Sequence, residues 1–137
     1  MTPFRWLLWL AILLSLTTSA SWAQDAPTLA RLDPDGVQRL SMVGSNYRFQ
    51  PDRLQVRVGV PVELEIRRST RLTPHDLVIR DARMRLDIEV DLRREARIVR
   101  FTPEVTGRVV FYCDERLLFF PSHRDRGMWG VLEVVEE

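Results

Sequence analysis

Leu54-Gln55-Val56-Arg57-Val58-Gly59-Val60-Pro61-Val62-Glu63-Leu64-Glu65-Ile66-Arg67 is the stretch that decides the fold. Apolar residues fall at every second position on both sides of Gly59-Val60-Pro61. A period of two puts one set of side chains on each face of an extended strand, so each half reads as a strand with one buried face. Gly and Pro between them mark a turn. Outward from this pair, the pattern repeats. Residues 75–79 are short and mostly apolar; Ile88, Val90 and Leu92 alternate with Glu89 and Asp91. Residues 98–101 form another strand, closed by Pro103 and a turn near Gly107, and residues 109–113 and 131–135 complete the series. No window keeps a helical period, and no internal repeat is visible. Seven or so short strands at this spacing predict an all-β, antiparallel β-sandwich.

The chain has 137 residues, enough for one domain. All twenty basic residues are Arg, set against nineteen acids, and the net charge is +1. That balance argues against a nucleic-acid binder held by bulk positive charge. Residues 67–100 hold ten Arg and six acids, which reads as a solvated sheet face with ion pairs.

The N-terminus reads as an address. Residues 1–5 carry one positive charge, residues 6–16 are densely apolar, and Ser21 and Ala23 are the small residues that a signal peptidase reads. The apolar run is shorter than the ~20 residues of a comfortable bilayer span, so a cleaved secretory signal over 1–23 is expected, with an uncleaved anchor as the alternative. Residues 24–40, rich in Asp, Pro and Ala, read as a flexible lead-in, and the domain is expected over 41–137. After cleavage, nineteen Arg balance nineteen acids and only Trp129 remains of the four Trp. The expected location is periplasmic. A lone thiol, Cys113, rules out an internal disulfide and tends to oxidise in such a compartment, so burial or metal ligation must protect it.

Four potential metal ligands stand at predicted strand ends. His75 precedes one strand, Cys113 ends another, and His123 and Met128 follow on the loop that leads into the last. Taken singly, each has an ordinary reading: a surface or core histidine, a small buried hydrophobe, a packing methionine. Taken together, a thiolate, two imidazoles and a weak thioether are the donor set that lets copper pass between its two oxidation states. Zinc would use the Cys and His but gain little from Met.

On these residues the sequence resembles the cupredoxins, the small blue-copper proteins. Residues 47–59 are similar to the family's opening strands, and Pro74-His75-Asp76-Leu77-Val78-Ile79 to the strand carrying its first His ligand. Phe111-Tyr112-Cys113, then His123, Met128 and Gly130-Val131-Leu132, are similar to the segment carrying the other ligands. The resemblance implies a Greek-key sandwich and one copper ion held by His75, Cys113, His123 and, weakly, Met128. It implies an electron carrier rather than an enzyme, with redox partner proteins. No nucleic acid, no membrane insertion after cleavage and a monomeric state are expected. Storage or delivery of copper to another protein, and a metal-free binding module, remain open. A single Cys cannot build a binuclear copper centre, and two His cannot supply additional catalytic copper sites.

Two departures from the family pattern stand out. Nine residues, 114–122, separate Cys113 from His123, where two to four are usual; such a loop has the length to bring Asp114 or Glu115 near the metal. Asp76 stands where the family often has Asn, and its carboxylate is placed to accept the bonds that tie the His loop to the Cys loop. The apolar run Leu117-Leu118-Phe119-Phe120-Pro121 is expected to fold down and shield the metal, because five exposed apolar residues in a row invite association; the alternative is a hydrophobic patch around the edge of His123 where a redox partner docks.

Overall fold

The computed structural model describes residues 26–137, and every regular element among them is a strand. The strands are β1 (Thr28–Leu29), β2 (Arg31–Leu32), β3 (Gln38–Ser45), β4 (Arg48–Gln50), β5 (Arg53–Arg57), β6 (Val62–Arg68), β7 (Asp76–Asp81), β8 (Leu86–Asp91), β9 (Arg97–Phe101), β10 (Gly107–Tyr112) and β11 (Trp129–Val135). One sheet runs β1-β5-β11-β10-β7-β8, and the other runs β2-β3-β6-β9 with β4 beside β3. The signal reading of residues 1–23 lies outside the described residues.

The alternation in the sequence is the alternation in the sandwich. Leu54 and Val56 of β5 and Leu64 and Ile66 of β6 are buried, while the residues between them reach solvent at least in part. Phe49 and Phe111 meet edge to face, with centroids 5.4 Å apart, and close the core beneath the loops. Gly130 is required at the start of β11, because a Cβ there would strike the Asp52 carbonyl and the Phe111 ring.

Two expectations change. The sheets are mixed rather than antiparallel: β1 with β5, β5 with β11, and β3 with β6 run parallel. Parallel neighbours need a crossover, and here the chain crosses to the other sheet between them. Binary patterning reports which face is buried and is blind to the direction of the neighbouring strand. The stretch read as a flexible lead-in is also paired. Thr28 and Leu29 sit beside Leu54 and Gln55, Arg31 and Leu32 beside Arg39 and Gln38, and β3 begins at Gln38 rather than after residue 40. The cause is tertiary. The buried Gln38 amide donates to the Arg57 and Val60 carbonyls and accepts from the Arg57 N–H. Arg39 meanwhile binds Asp33, Asp35 and Glu63. Polar anchors of this kind leave no hydrophobic period to read.

Topology decides where the chemistry sits. β10 is antiparallel to both β7 and β11, with Tyr112 opposite Val78 and Trp129. The end of β10 therefore lies beside the starts of β7 and β11. Cys113 follows the first; His75 and Met128 immediately precede the other two. Three ligand positions far apart in sequence are brought to one pole of the sandwich.

Candidate metal centre

At that pole the His75 and His123 Nδ1 atoms are 3.1 Å apart, and the Cys113 Sγ lies 3.4 Å from His123 Nδ1 and 3.9 Å from His75 Nδ1. A point equidistant from these three atoms lies about 2 Å from each, which is the length of a metal–imidazole bond (~2.0–2.1 Å) and slightly short of a metal–thiolate bond (~2.3 Å). All three residues are buried. The His75 Nε2 is buried with no hydrogen-bond partner among the described residues, because the ring is turned to aim Nδ1 at the other two donors. The donors present fit a metal ion.

Electrostatics keep the metal-free site neutral. Burial, then the neighbouring His123 and Arg68, pushes the His75 imidazole down to about 4. Burial and then Arg126 lower His123. Burial pushes the Cys113 thiol up to about 12. At neutral pH the site holds two neutral imidazoles and a thiol, so a metal entering it must displace one proton, that of the thiol.

Met128, expected as the weak ligand, is fully buried and immediately precedes β11. Its carbonyl accepts the Cys113 N–H at 3.1 Å, and its N–H donates to the His123 carbonyl at 2.9 Å, so its backbone joins the two ligand segments. Its Cε lies 3.2 Å from the position a Cβ would take on Gly44, in a space that only glycine leaves open.

Asp76 does what its position suggested. Its Oδ1 accepts the Asp114 N–H at 2.7 Å, and its own N–H donates to Cys113 Sγ at 3.4 Å. The donor group consists of His75, Cys113 and His123; Asp114 and Glu115 stay outside it. The long loop is pinched at its base. The His123 N–H donates to the Glu115 carbonyl at 2.9 Å, and the Arg124 N–H to the Cys113 carbonyl at 3.0 Å. The added residues form a separate excursion closed by the Phe120 N–H donating to the Leu117 carbonyl.

That excursion overturns the shielding expectation: Leu117, Leu118, Phe119, Phe120 and Pro121 all point to solvent. Their inner edge lines a cleft of about 390 Å³ beside His123 instead of covering the donors. The cover is Tyr47, which sequence reading passed over as part of an opening strand. Its ring stands edge-on to His123 at 4.9 Å and to His75 at 6.3 Å, with the Arg126 guanidinium stacked on it at 4.8 Å. Asn46 and Tyr47 both have positive φ, 46° and 59°, in the tight turn between β3 and β4. Asn accepts that conformation readily and Tyr does so at a cost. The turn-forming Asn46 was the available signal, though it gave no hint of where the next ring would land.

No family model and no curated protein matches this sequence. Solved structures do match. The metal-binding domain of the Cu(I)-exporting P-type ATPase CopA of Streptococcus pneumoniae, solved with Cu(I), aligns with a TM-score of 0.62 and 22% identity, over 81% of this chain and 97% of that one. Reduced auracyanin from Roseiflexus castenholzii aligns with a TM-score of 0.58 and 18% identity, over 71% and 96%. Rusticyanin from Thiobacillus ferrooxidans aligns with a TM-score of 0.55 and 13% identity, over 77% and 86%. With these neighbours, and with two all-β sheets that gather His75, Cys113 and His123 at one pole, the chain has the cupredoxin fold.

Proposed function

We propose that this protein binds one copper ion through His75, Cys113 and His123, with Met128 as a weak fourth ligand, and carries single electrons outside the cytoplasm. The observation that carries the proposal is the triangle of buried donor atoms with sides of 3.1, 3.4 and 3.9 Å. When bound, copper supplies a one-electron couple that a mixed sulfur and nitrogen donor set accepts in both oxidation states. The chain's own residues keep the donors in place. Strand ends from one sheet fix His75, Cys113 and Met128, and the Asp76 N–H steadies the sulfur. The Tyr47 ring covers both imidazoles, so little has to move when the charge at the site changes. The fold match to auracyanin and rusticyanin supports this reading. The signal-like residues 1–23 support export to the periplasm, and a redox protein is the expected partner.

The test is the visible spectrum of the copper-loaded protein beside Cys113→Ser. An intense thiolate-to-copper band that vanishes in the variant is expected; its absence from the unaltered protein would defeat the proposal.

A second reading, copper handling for delivery, is favoured by the fold match to the metal-binding domain of a Cu(I)-exporting ATPase. Burial of all three donors favours retention over exchange. Rapid copper loss to a mild chelator, with no reversible voltammetric wave, would reverse that preference.

A further inference from the structure

A histidine that ligates a metal usually has its second ring nitrogen bonded to a neighbouring group, which fixes the ring. His75 lacks that tether: its Nε2 is buried and meets no hydrogen-bond partner among the described residues. More of the task of aiming Nδ1 therefore falls to the main chain on either side. On the downstream side the His75 carbonyl accepts the Leu92 N–H at 2.8 Å, and the Asp76 N–H donates to the Cys113 Sγ.

On the upstream side the fixed point is the Thr73 carbonyl. It accepts the Arg68 Nη1 at 2.9 Å and the Thr70 hydroxyl at 3.0 Å. The same Arg68 nitrogen reaches the Arg71 carbonyl at 3.4 Å. A bond from a charged donor is about twice as strong as a neutral one, so the guanidinium is the firmer of the two holds on Thr73. Pro74 comes next, and its ring locks φ at about −65°. The pinned carbonyl fixes the peptide plane between Thr73 and Pro74, and the proline fixes the torsion after it. One soft torsion, ψ of Pro74, is left between the Thr73 carbonyl and the His75 Cα.

Arg68 is itself anchored. It ends β6, in the sheet opposite the one that His75 leads into. Its N–H donates to the Arg93 carbonyl at 2.7 Å, and the Ser69 N–H donates to the Gly44 carbonyl at 3.1 Å. Leu92 and Arg93 are adjacent, so one short segment bonds the backbones of both His75 and Arg68. The Arg68 side chain closes the ring by way of Thr73. Its charge is also felt at the imidazole, where it helps burial and His123 to push His75 down.

We propose that Arg68, seconded by Thr70, is a positioning residue for the metal centre: through the Thr73 carbonyl and Pro74 it sets where His75 Nδ1 points. This deepens the copper reading and rests on it. The brace is built from β6 and the loop after it, so the sheet opposite the donors holds one of them in place.

The experiment compares the unaltered protein with Arg68→Met and Thr70→Val, each metal-free and copper-loaded. Arg68→Met keeps a long stem and loses the donor. Thr70→Val keeps the shape, removes the other donor to the same carbonyl and leaves every charge in place. In metal-free protein, amide exchange at Leu92 is expected to quicken at least about fivefold in Arg68→Met as the His75 arm loosens. In copper-loaded protein, transfer to a chelator is expected to quicken at least about tenfold in Arg68→Met and about threefold in Thr70→Val. The thiolate-to-copper band is expected to shift in both, which a brace that only supported the fold would not cause. Faster Leu92 exchange with an unmoved band and an unchanged transfer rate overturns the proposal. So does an effect of Arg68→Met with none from Thr70→Val, which would assign the effect to charge. Should the unaltered protein lack the band, the copper reading fails by itself, and Leu92 exchange in the metal-free variants decides whether the brace holds the arm.

Discussion

Asp76 grips the Cys113 segment at two points: its backbone N–H donates to the Cys113 Sγ at 3.4 Å, and its carboxylate accepts the N–H of Asp114, the next residue, at 2.7 Å. Both bonds cross between the loop that carries His75 and the loop that carries Cys113, so one residue sets the spacing of two ligands. Asp76→Asn keeps an oxygen able to accept the Asp114 N–H and removes the negative charge. An anion near the metal stabilises the more positive oxidation state. The reduction potential is therefore expected to rise in the variant by tens of millivolts, on the order of 1 kcal/mol. Voltammetry of the copper-loaded protein checks this, and an unchanged potential would show that the carboxylate carries no net charge in the loaded protein.

Tyr47 is the lid that Leu117–Pro121 was expected to be. Its ring lies 4.9 Å from that of His123, and the backbone that places it is held at φ +59°. Tyr47→Gly removes the ring and relieves the backbone at the same time, so lost metal retention in this variant reports the ring rather than added strain. Copper transfer to a chelator is expected to quicken at least about tenfold, with the unfolding midpoint changed little. Tyr47→Phe keeps the cover and is expected to behave as the unaltered protein.

Much of this architecture was legible in advance. The strict alternation at 54–58 and 62–67 reported which faces are buried, and antiparallel register carried the ends of residues 75–79, 109–113 and 131–135 to one pole. What stayed hidden shares one physical cause. β3 opens on a buried polar residue, Gln38, and Arg39 holds the segment before it by charge, so neither yields a hydrophobic period. Strand direction leaves no mark on alternation. The fate of Leu117–Pro121 depended on two backbone hydrogen bonds at the loop base, and side-chain composition says nothing about those.

Met128 is both a core residue and the proposed weak ligand, and one substitution separates the roles. Met128→Leu keeps volume and apolar character, so stability is expected to change by less than about 1.5 kcal/mol. The thioether is lost, and the reduction potential is expected to rise, since a weak sulfur donor would tune that quantity if Met128 held the metal. Denaturant unfolding and voltammetry on the same sample read the two roles apart. A stable variant with an unaltered potential would leave Met128 as packing alone.

The excursion between the ligands is expected to be dispensable for the metal. Replacing residues 117–121 by two glycines leaves the Glu115–His123 and Cys113–Arg124 backbone bonds intact. The thiolate-to-copper band is expected to keep its position and intensity in the shortened protein. A shifted band would mean that the excursion shapes the donors from a distance.

Arg39 is the hub of the least predictable segment, and acid should release it. Its guanidinium binds the Asp33, Asp35 and Glu63 carboxylates at 2.6, 2.7 and 2.9 Å. Those bonds hold all three carboxyls below their usual range. A carboxyl whose folded value lies below its unfolded one stabilises the fold above the ordinary carboxylate range, near pH 4, and loses that contribution as pH falls through the folded value. The melting temperature is therefore expected to drop on acidification from about pH 5 to pH 3. Arg39→Gln is expected to melt lower at pH 7 and to show a flatter decline over the same window, because the three carboxylates lose their shared partner and only Arg31 on Asp33, Arg100 on Glu63 and the Val37 N–H on Asp35 still hold them down. Added salt should narrow the gap between the two proteins at pH 7, since these groups lie near the surface. Amide exchange supplies the structural readout: faster exchange in the variant is expected at Ala30, whose N–H donates to the Gln55 carbonyl, and at Gly36, whose N–H donates to that of Asp33. Equal slopes of melting temperature against pH would mean that Arg39 anchors the segment by packing rather than by charge.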